Sequence, residues 1–178
     1  LTLSPGGRQL VYRAGGIPSF GSALMVRAID QLDARQLFAE SASGGALGVF
    51  ASPDNRWIGF FTRGELKKVS ITGGPAITLC QVSGVPLGAS WGDNNTIVFA
   101  TDDSKTGLWR VSADGGEPTV LTTPDAVQRE GDHAFPSVLP GGRGVLFTIV
   151  AATQEDHAQV AVLDLMTGQR NTLVRGGS

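Results

Sequence analysis

Apolar positions along this chain fall in short runs separated by turns, and no stretch of useful length shows a helical stripe. Four runs stand out: "QLVYR" (9–13), "WIGFF" (57–61), "TIVFA" (96–100) and "GVLFT" (144–148). Each follows a turn segment: "SPGGR" (Ser4–Arg8), "SPDNR" (Ser52–Arg56), "WGDNN" (Trp91–Asn95) and "LPGGR" (Leu139–Arg143). Pro, Asp, Asn and Gly at these positions supply the backbone geometry of tight turns. A run that is apolar at nearly every position predicts a strand covered on both faces.

Each unit has a second half of constant length: Leu24–Leu37, Leu66–Leu79, Leu108–Leu121 and Val160–Leu173. A polar centre between two apolar ends reads as a hairpin used four times. In the third unit the four strands are expected near Leu87–Trp91, Thr96–Ala100, Leu108–Ser112 and Thr119–Thr122, named here a, b, c and d. Four antiparallel strands in a repeat of roughly 40–48 residues are the requirements of a β-propeller blade. The expected class is all-β: four-stranded antiparallel blades, about four in this chain, within one propeller domain that either closes alone or is part of a larger ring. The blades fall near 1–40, 46–82, 84–124 and 131–175.

If the blades run up-down-up-down, the a–b and c–d turns share one face and the b–c and d–a connections share the other. The first set keeps nearly fixed lengths and the second varies, so the varying face is where recognition is expected. It carries Gly15–Ala23, Thr101–Gly107, Thr123–His133 and Ala151–Ala158. The candidate ligand-binding residues are Asp102, Asp103, Arg129, Glu130, Asp132, His133 and His157, with Glu155 and Asp156 on the same face.

Composition narrows the chemistry. Hydrophobic residues make up 41% and charged residues 17%, which excludes a disordered chain. A formal net charge of −2 leaves no basic footprint, so no nucleic-acid partner is expected. No apolar run is long enough for a spanning helix, so no membrane insertion by this segment is expected. The single cysteine, Cys80, excludes an internal disulfide and reads as a small buried hydrophobe in a strand. The chain opens at Leu1 without a methionine, which reads as a fragment or a processed product.

The stretch "GASWG" (Gly88–Gly92) fits G-x-S-x-G, which presents a nucleophilic serine on a strand-to-helix turn. Here it leads into another strand. Aligned on the turns, Ser90 matches Ala51 and Val138, and Gly92 takes the place of proline. Ser90 therefore reads as a strand residue, and no catalytic residue is assigned. Asp102, Asp103 and Asp132 lack a calcium-loop pattern, and two histidines without thiolates are a weak zinc signal; no metal or other cofactor is expected. His133 opens the strand-a segment "HAFPSVLPGG" and reads as a hydrogen-bonded tie between adjacent blades. The strand aromatics Trp57, Phe60, Phe61, Phe99, Trp109 and Phe147 read as inter-blade core. "GELKKV" (Gly64–Val69) reads as a solvated outer position.

The segments "SPDNRWIGFF…ELKKVSITGGPAITL", "GASWGDNNTIVFA…GLWRVSADGGEPTVLTTPD" and "HAFPSVLPGGRGVLFT" resemble the TolB-like propeller repeat. They look most like the versions in extracytoplasmic regions of bacterial serine/threonine protein kinases. The chain departs from the usual "SPDG" turn. The resemblance implies six or more blades in the parent protein and an extracytoplasmic location in a bacterium. It further implies a non-catalytic sensor or scaffold module that takes a protein, peptide or small ligand at the long-loop face. A related role is the gating propeller of a prolyl-oligopeptidase-type serine peptidase. Four blades of a larger ring leave apolar blade faces open, so the isolated chain is expected to self-associate.

Overall fold

The computed structural model describes residues 1–15, 23–39, 46–153 and 157–176. Among the described residues, sixteen strands form four antiparallel sheets of four, each pairing its strands in chain order. The first holds β1 (Thr2–Leu3), β2 (Gln9–Ala14), β3 (Ala23–Ala28) and β4 (Arg35–Ala39). The second holds β5 (Leu47–Ala51), β6 (Trp57–Thr62), β7 (Glu65–Ser70) and β8 (Ile77–Gln81). The third holds β9 (Pro86–Trp91), β10 (Thr96–Thr101), β11 (Leu108–Ser112) and β12 (Thr119–Val120). The fourth holds β13 (Glu130–Val138), β14 (Gly144–Ala151), β15 (Gln159–Asp164) and β16 (Arg170–Arg175). Strand a of the fourth sheet starts three residues before His133, and strand d of the third stops two residues short of the expected Thr122.

The chain contains two compact units, Leu1–Val82 and Ser83–Ser178, of two sheets each. In the first, Val11, Leu24, Val26 and Leu37 pack with Ile58, Phe60, Val69 and Ile71. In the second, Val98, Ala100 and Leu108 pack with Val145, Phe147, Ile149 and Leu163. Strands β6 and β10 are buried at every residue after the first, as their unbroken apolar runs predict. Cys80 is buried in β8, and burial pushes its thiol up to about 11. One expectation fails. Lys68 is not a solvated outer residue: it is buried, with its ammonium 4.6 Å above the Trp57 ring centre. β7 is flanked by β6 and β8, so the long lysine stem is held against an aromatic face of its own sheet.

The turn alignment of the third sheet also needs correction. Three a–b turns close with the amide before the turn bonded to the first carbonyl of strand b: Ser4 to Gln9, Ser52 to Trp57 and Leu139 to Gly144. In the third sheet it is Gly92, not Trp91, that bonds the Thr96 carbonyl, at 2.8 Å. This turn is one residue shorter. Gly92 thus matches Ser4, Ser52 and Leu139 rather than the prolines, and Ser90 matches Phe50 and Ser137 rather than Ala51 and Val138.

Two bulges recur. In strand d the ladder slips at Leu37, Leu79 and Leu173, and the Leu108 carbonyl accepts from both Leu121 and Thr122. The leucine that ends each repeated hairpin is therefore its bulge residue. In strand a, the residue three before the strand end takes positive φ: Gly48 (55°), Gly88 (115°) and Phe135 (54°). Glycine suits that conformation and a bulky side chain does not. Phe135 is also 64% exposed, so its ring gains little by burial.

A Cβ on Gly88 would sit 3.2 Å from the Phe135 Cα, against backbone that cannot yield. Gly88→Ala is expected to lower stability by about 2 kcal/mol, whereas Phe135→Gly leaves it unchanged or raises it by up to about 1 kcal/mol. Urea unfolding of the two variants checks this; a loss above about 1 kcal/mol in Phe135→Gly would mean its ring is packed.

Candidate functional site

The long connections of the second unit are fixed by hydrogen bonds to their own strands. Asp102 follows β10 directly, and its Oδ1 accepts the Val85 amide at 2.6 Å, pinning the entry to β9. Asp103 turns the b–c loop by accepting the Lys105 amide at 3.1 Å. The d–a connection contains a 3-10 turn, Ala126–Gln128, capped by the Asp125 carboxylate, which accepts the Val127 amide at 2.8 Å. This turn holds Val127 out to solvent at 93% exposure.

Beneath that turn lies a buried polar network. Glu130 Oε2 accepts the Asp125 amide at 2.7 Å and Nη1 of Arg170 at 2.8 Å. His133 is fully buried, with Nε2 at 3.1 Å from both Glu130 Oε2 and Arg170 Nη1. Its Nδ1 lies 2.7 Å from Thr122 Oγ1, which itself accepts the Leu108 amide. Thr122 belongs to the third sheet's hairpin and His133 to the fourth sheet, so the expected tie between adjacent blades is present. The Phe147 ring meets the imidazole edge-on at 4.9 Å.

The seven candidate residues therefore divide. Glu130, Asp132 and His133 are buried and engaged in internal hydrogen bonds; Asp132 Oδ1 takes the His133 amide at 2.6 Å. Asp102, Arg129 and His157 are exposed, and Asp103 is half-buried. Asp102 and Asp103 lie near enough to Asp132 to act on its ionisation, and Glu130 meets His133; His157 is not brought into either group. Residues 16–22 and 154–156, including Glu155 and Asp156, lie outside the described residues. Arg170 is not in the expected set. It opens β16 forty positions after Glu130, and no local pattern marks it. Among the described residues no group of three or more His, Cys, Asp or Glu is arranged to hold a metal.

Ser90 lies in β9 next to the turn, and its Oγ accepts the Val138 amide at 2.9 Å. It joins the inner strands of the third and fourth sheets, and the Gly141 amide bonded to Asp93 at 3.1 Å joins the a–b turns beside them. The contacts of His133 do not involve Ser90.

Burial lowers the His133 pKa below its usual 6.5, with Glu130 opposing and Arg170 adding to the fall. Burial pushes the Glu130 carboxyl up, but the bonds from Arg170 and the Asp125 amide lead the interactions that outweigh it and hold it below its usual value. Burial raises Asp132, opposed by its bond from the His133 amide and reinforced by Asp102 and Asp103.

The signs are distinct. Below pH 6.5 the unfolded chain takes up a proton that native His133 resists, so stability falls as pH drops through that value. Glu130 adds a second loss at lower pH, as pH falls from its unfolded value toward its depressed native one. Denaturant midpoints between about pH 7 and pH 5 should therefore fall less steeply in His133→Gln than in the parent. Asp132 works the other way: its stabilisation is present at low pH and is lost as pH rises through its elevated native pKa. Asp132→Asn keeps the acceptor for the His133 amide and should raise the melting temperature at pH 7. A lower melting temperature at that pH would show that the charge of Asp132 is needed.

No protein-family model and no curated protein matches the sequence. Solved structures do match. TolB from Acinetobacter baumannii aligns over 99% of this chain and 43% of its own, with a TM-score of 0.75 and 15% identity. A TolB candidate from Agrobacterium tumefaciens aligns over 97% and 63%, with a TM-score of 0.75 and 21% identity. A puromycin-hydrolysing peptidase from Mycobacterium tuberculosis aligns over 97% and 28%, with a TM-score of 0.67 and 17% identity. The chain spans less than two thirds of each. At these identities the likeness is one of fold: the chain has a TolB-like β-propeller fold, and its four sheets are four blades.

Proposed function

We propose that this chain is a non-catalytic binding module that takes a protein, peptide or small ligand at the long-loop face of its second unit. The observation that carries this reading is Val127, almost fully exposed on a short turn clamped from below by Glu130. Exposed Asp102 and Arg129 supply charge on the same set of connections. A rigid loop that presents an apolar side chain suits recognition, because little order is lost on binding. Among the described residues no helix is long and apolar enough to cross a membrane. The proposed setting is extracytoplasmic, in a bacterial sensor such as a receptor-type serine/threonine kinase.

A second reading has its own support in the likeness to the peptidase structure, of which the chain covers 28%. In it the blades gate a serine peptidase domain elsewhere in the same protein. An α/β-hydrolase domain in the same reading frame would favour it. A kinase domain followed by a membrane helix would favour the first.

The test is a peptide-display selection on the chain, followed by calorimetry of the enriched peptides. Val127→Asp, Asp102→Lys and Arg129→Glu should each weaken binding about tenfold, and Asp114→Lys on the opposite turns should not. Binding unchanged in all three face variants would refute the reading. The chain is also proposed to self-associate, because Leu173 and Val174 on β16 stay 57% and 55% exposed whereas Leu37 and Leu79, at the same bulge, are buried. Light scattering at micromolar concentration should find more than a monomer.

A further inference from the structure

We propose that His133 and Arg170 are alternative partners of Glu130, exchanged by one proton, so that acid releases the outer strand β16 from the inner strand β13. The geometry is a triangle. Nη1 of Arg170 lies 2.8 Å from Glu130 Oε2 and 3.1 Å from His133 Nε2, and these two acceptor positions lie 3.1 Å apart. A guanidinium nitrogen can only donate. Its two hydrogens therefore serve the carboxylate and the imidazole together, provided that Nε2 carries a lone pair. The remaining ring proton is then on Nδ1 and is donated to Thr122 Oγ1. In this state each ring nitrogen has a hydrogen-bond partner, and Nε2 lies 3.1 Å from Glu130 Oε2 with no hydrogen between them.

A proton from solvent added at Nε2 changes two contacts and breaks no covalent bond. The new N–H faces Glu130 Oε2 at 3.1 Å and donates to it without rearrangement. Arg170 loses one of its two acceptors and now faces an imidazolium. Its side chain is 24% exposed whereas those of His133 and Glu130 are 0% and 3% exposed, so Arg170 is the member with a way out to water. The bond from the Asp125 amide to Glu130 is untouched, and the 3-10 turn keeps its clamp. What is lost is the polar link between the start of β16 and the start of β13.

The groups that face His133 come from every element around it. β13 supplies Glu130 and Asp132, the latter coupled to Asp102 and Asp103; the d–a connection supplies Thr122 and Asp125. β16 supplies Arg170, β14 the uncharged Phe147 ring, and the entry to β11 the close backbone of Gly107. Arg170 is the cation in this set, so it is the group whose removal reports on the exchange. The exchange does not depend on what the loop face binds.

The experiment uses the full chain with His157→Ala, which leaves His133 as the one imidazole of two. Nitrogen-15 resonances of the ring and of the Arg170 guanidinium are followed against pH. The expected result is a neutral ring protonated on Nδ1, with Arg170 moving at the same midpoint as the ring. In Arg170→Met the midpoint should rise by about one pH unit, as expected for removal of a like charge at hydrogen-bonding distance. A neutral ring protonated on Nε2 would overturn the proposal, and so would an Arg170 resonance that ignores the ring titration. An unchanged or lower midpoint in Arg170→Met would overturn it equally, and the first two readings hold even if that variant unfolds.

Discussion

Burial of strand b on both faces is the constraint from which the rest follows. Ile58 and Phe60 face the sheet before them, while Phe61, one position on, meets Phe50 of its own sheet's inner strand. A strand of period two that meets apolar neighbours on both faces is apolar at successive positions, so β6 and β10 read as apolar runs bounded by threonine at Thr62 and at Thr96 and Thr101. Each fully buried aromatic or aliphatic side chain contributes about 1.5–3 kcal/mol, more than an exposed ion pair or hydrogen bond supplies. Once b is covered on both sides, its partners a and c are placed by their ladders, and the turns and connections sort to opposite ends.

A four-stranded sheet that twists strongly must still keep its edge strands in contact with neighbours, and the bulges are how this chain does so. The strand-d bulge turns a leucine into the space beside the next sheet: Leu37 packs with Ile58 and Phe60, and Leu121 packs against the cluster that holds Val145 and Phe147. The strand-a bulge brings inner strands close, so that Gly88 nearly touches the Phe135 backbone. The fourth sheet departs from both rules. Its bulge leucine is exposed, and its inner bulge holds phenylalanine where its sisters hold glycine. A residue kept in an unfavourable conformation with its side chain in water is not explained by packing.

The same sheet holds the buried polar network. Ser90, Asp93 and Thr122 each reach from the third sheet to the fourth, and Ser90 and Thr122 answer partly buried groups that would otherwise lose a partner. The serine of a nucleophile-like pentapeptide is thus a joint between strands. The candidate acids and His133 divide by the same logic: those under the loop hold it up, and those on its surface stay in water.

Sequence alone determined what depends on short-range pattern. Strand order, the four hairpins and the double burial of strand b follow from period-two apolarity and turn residues, which act over a few positions. What needs the chain folded could not be read from it. The third turn is one residue shorter because of which amide reaches the Thr96 carbonyl, and glycine at 92 fits either alignment. Lys68 looks solvated until Trp57 is placed beneath it. Arg170 joins Glu130 across forty residues, and an arginine in an outer strand carries no mark of its partner. Local propensity is set by neighbours in sequence, whereas the pairing of buried charges is set by neighbours in space, and those are fixed only by the tertiary fold.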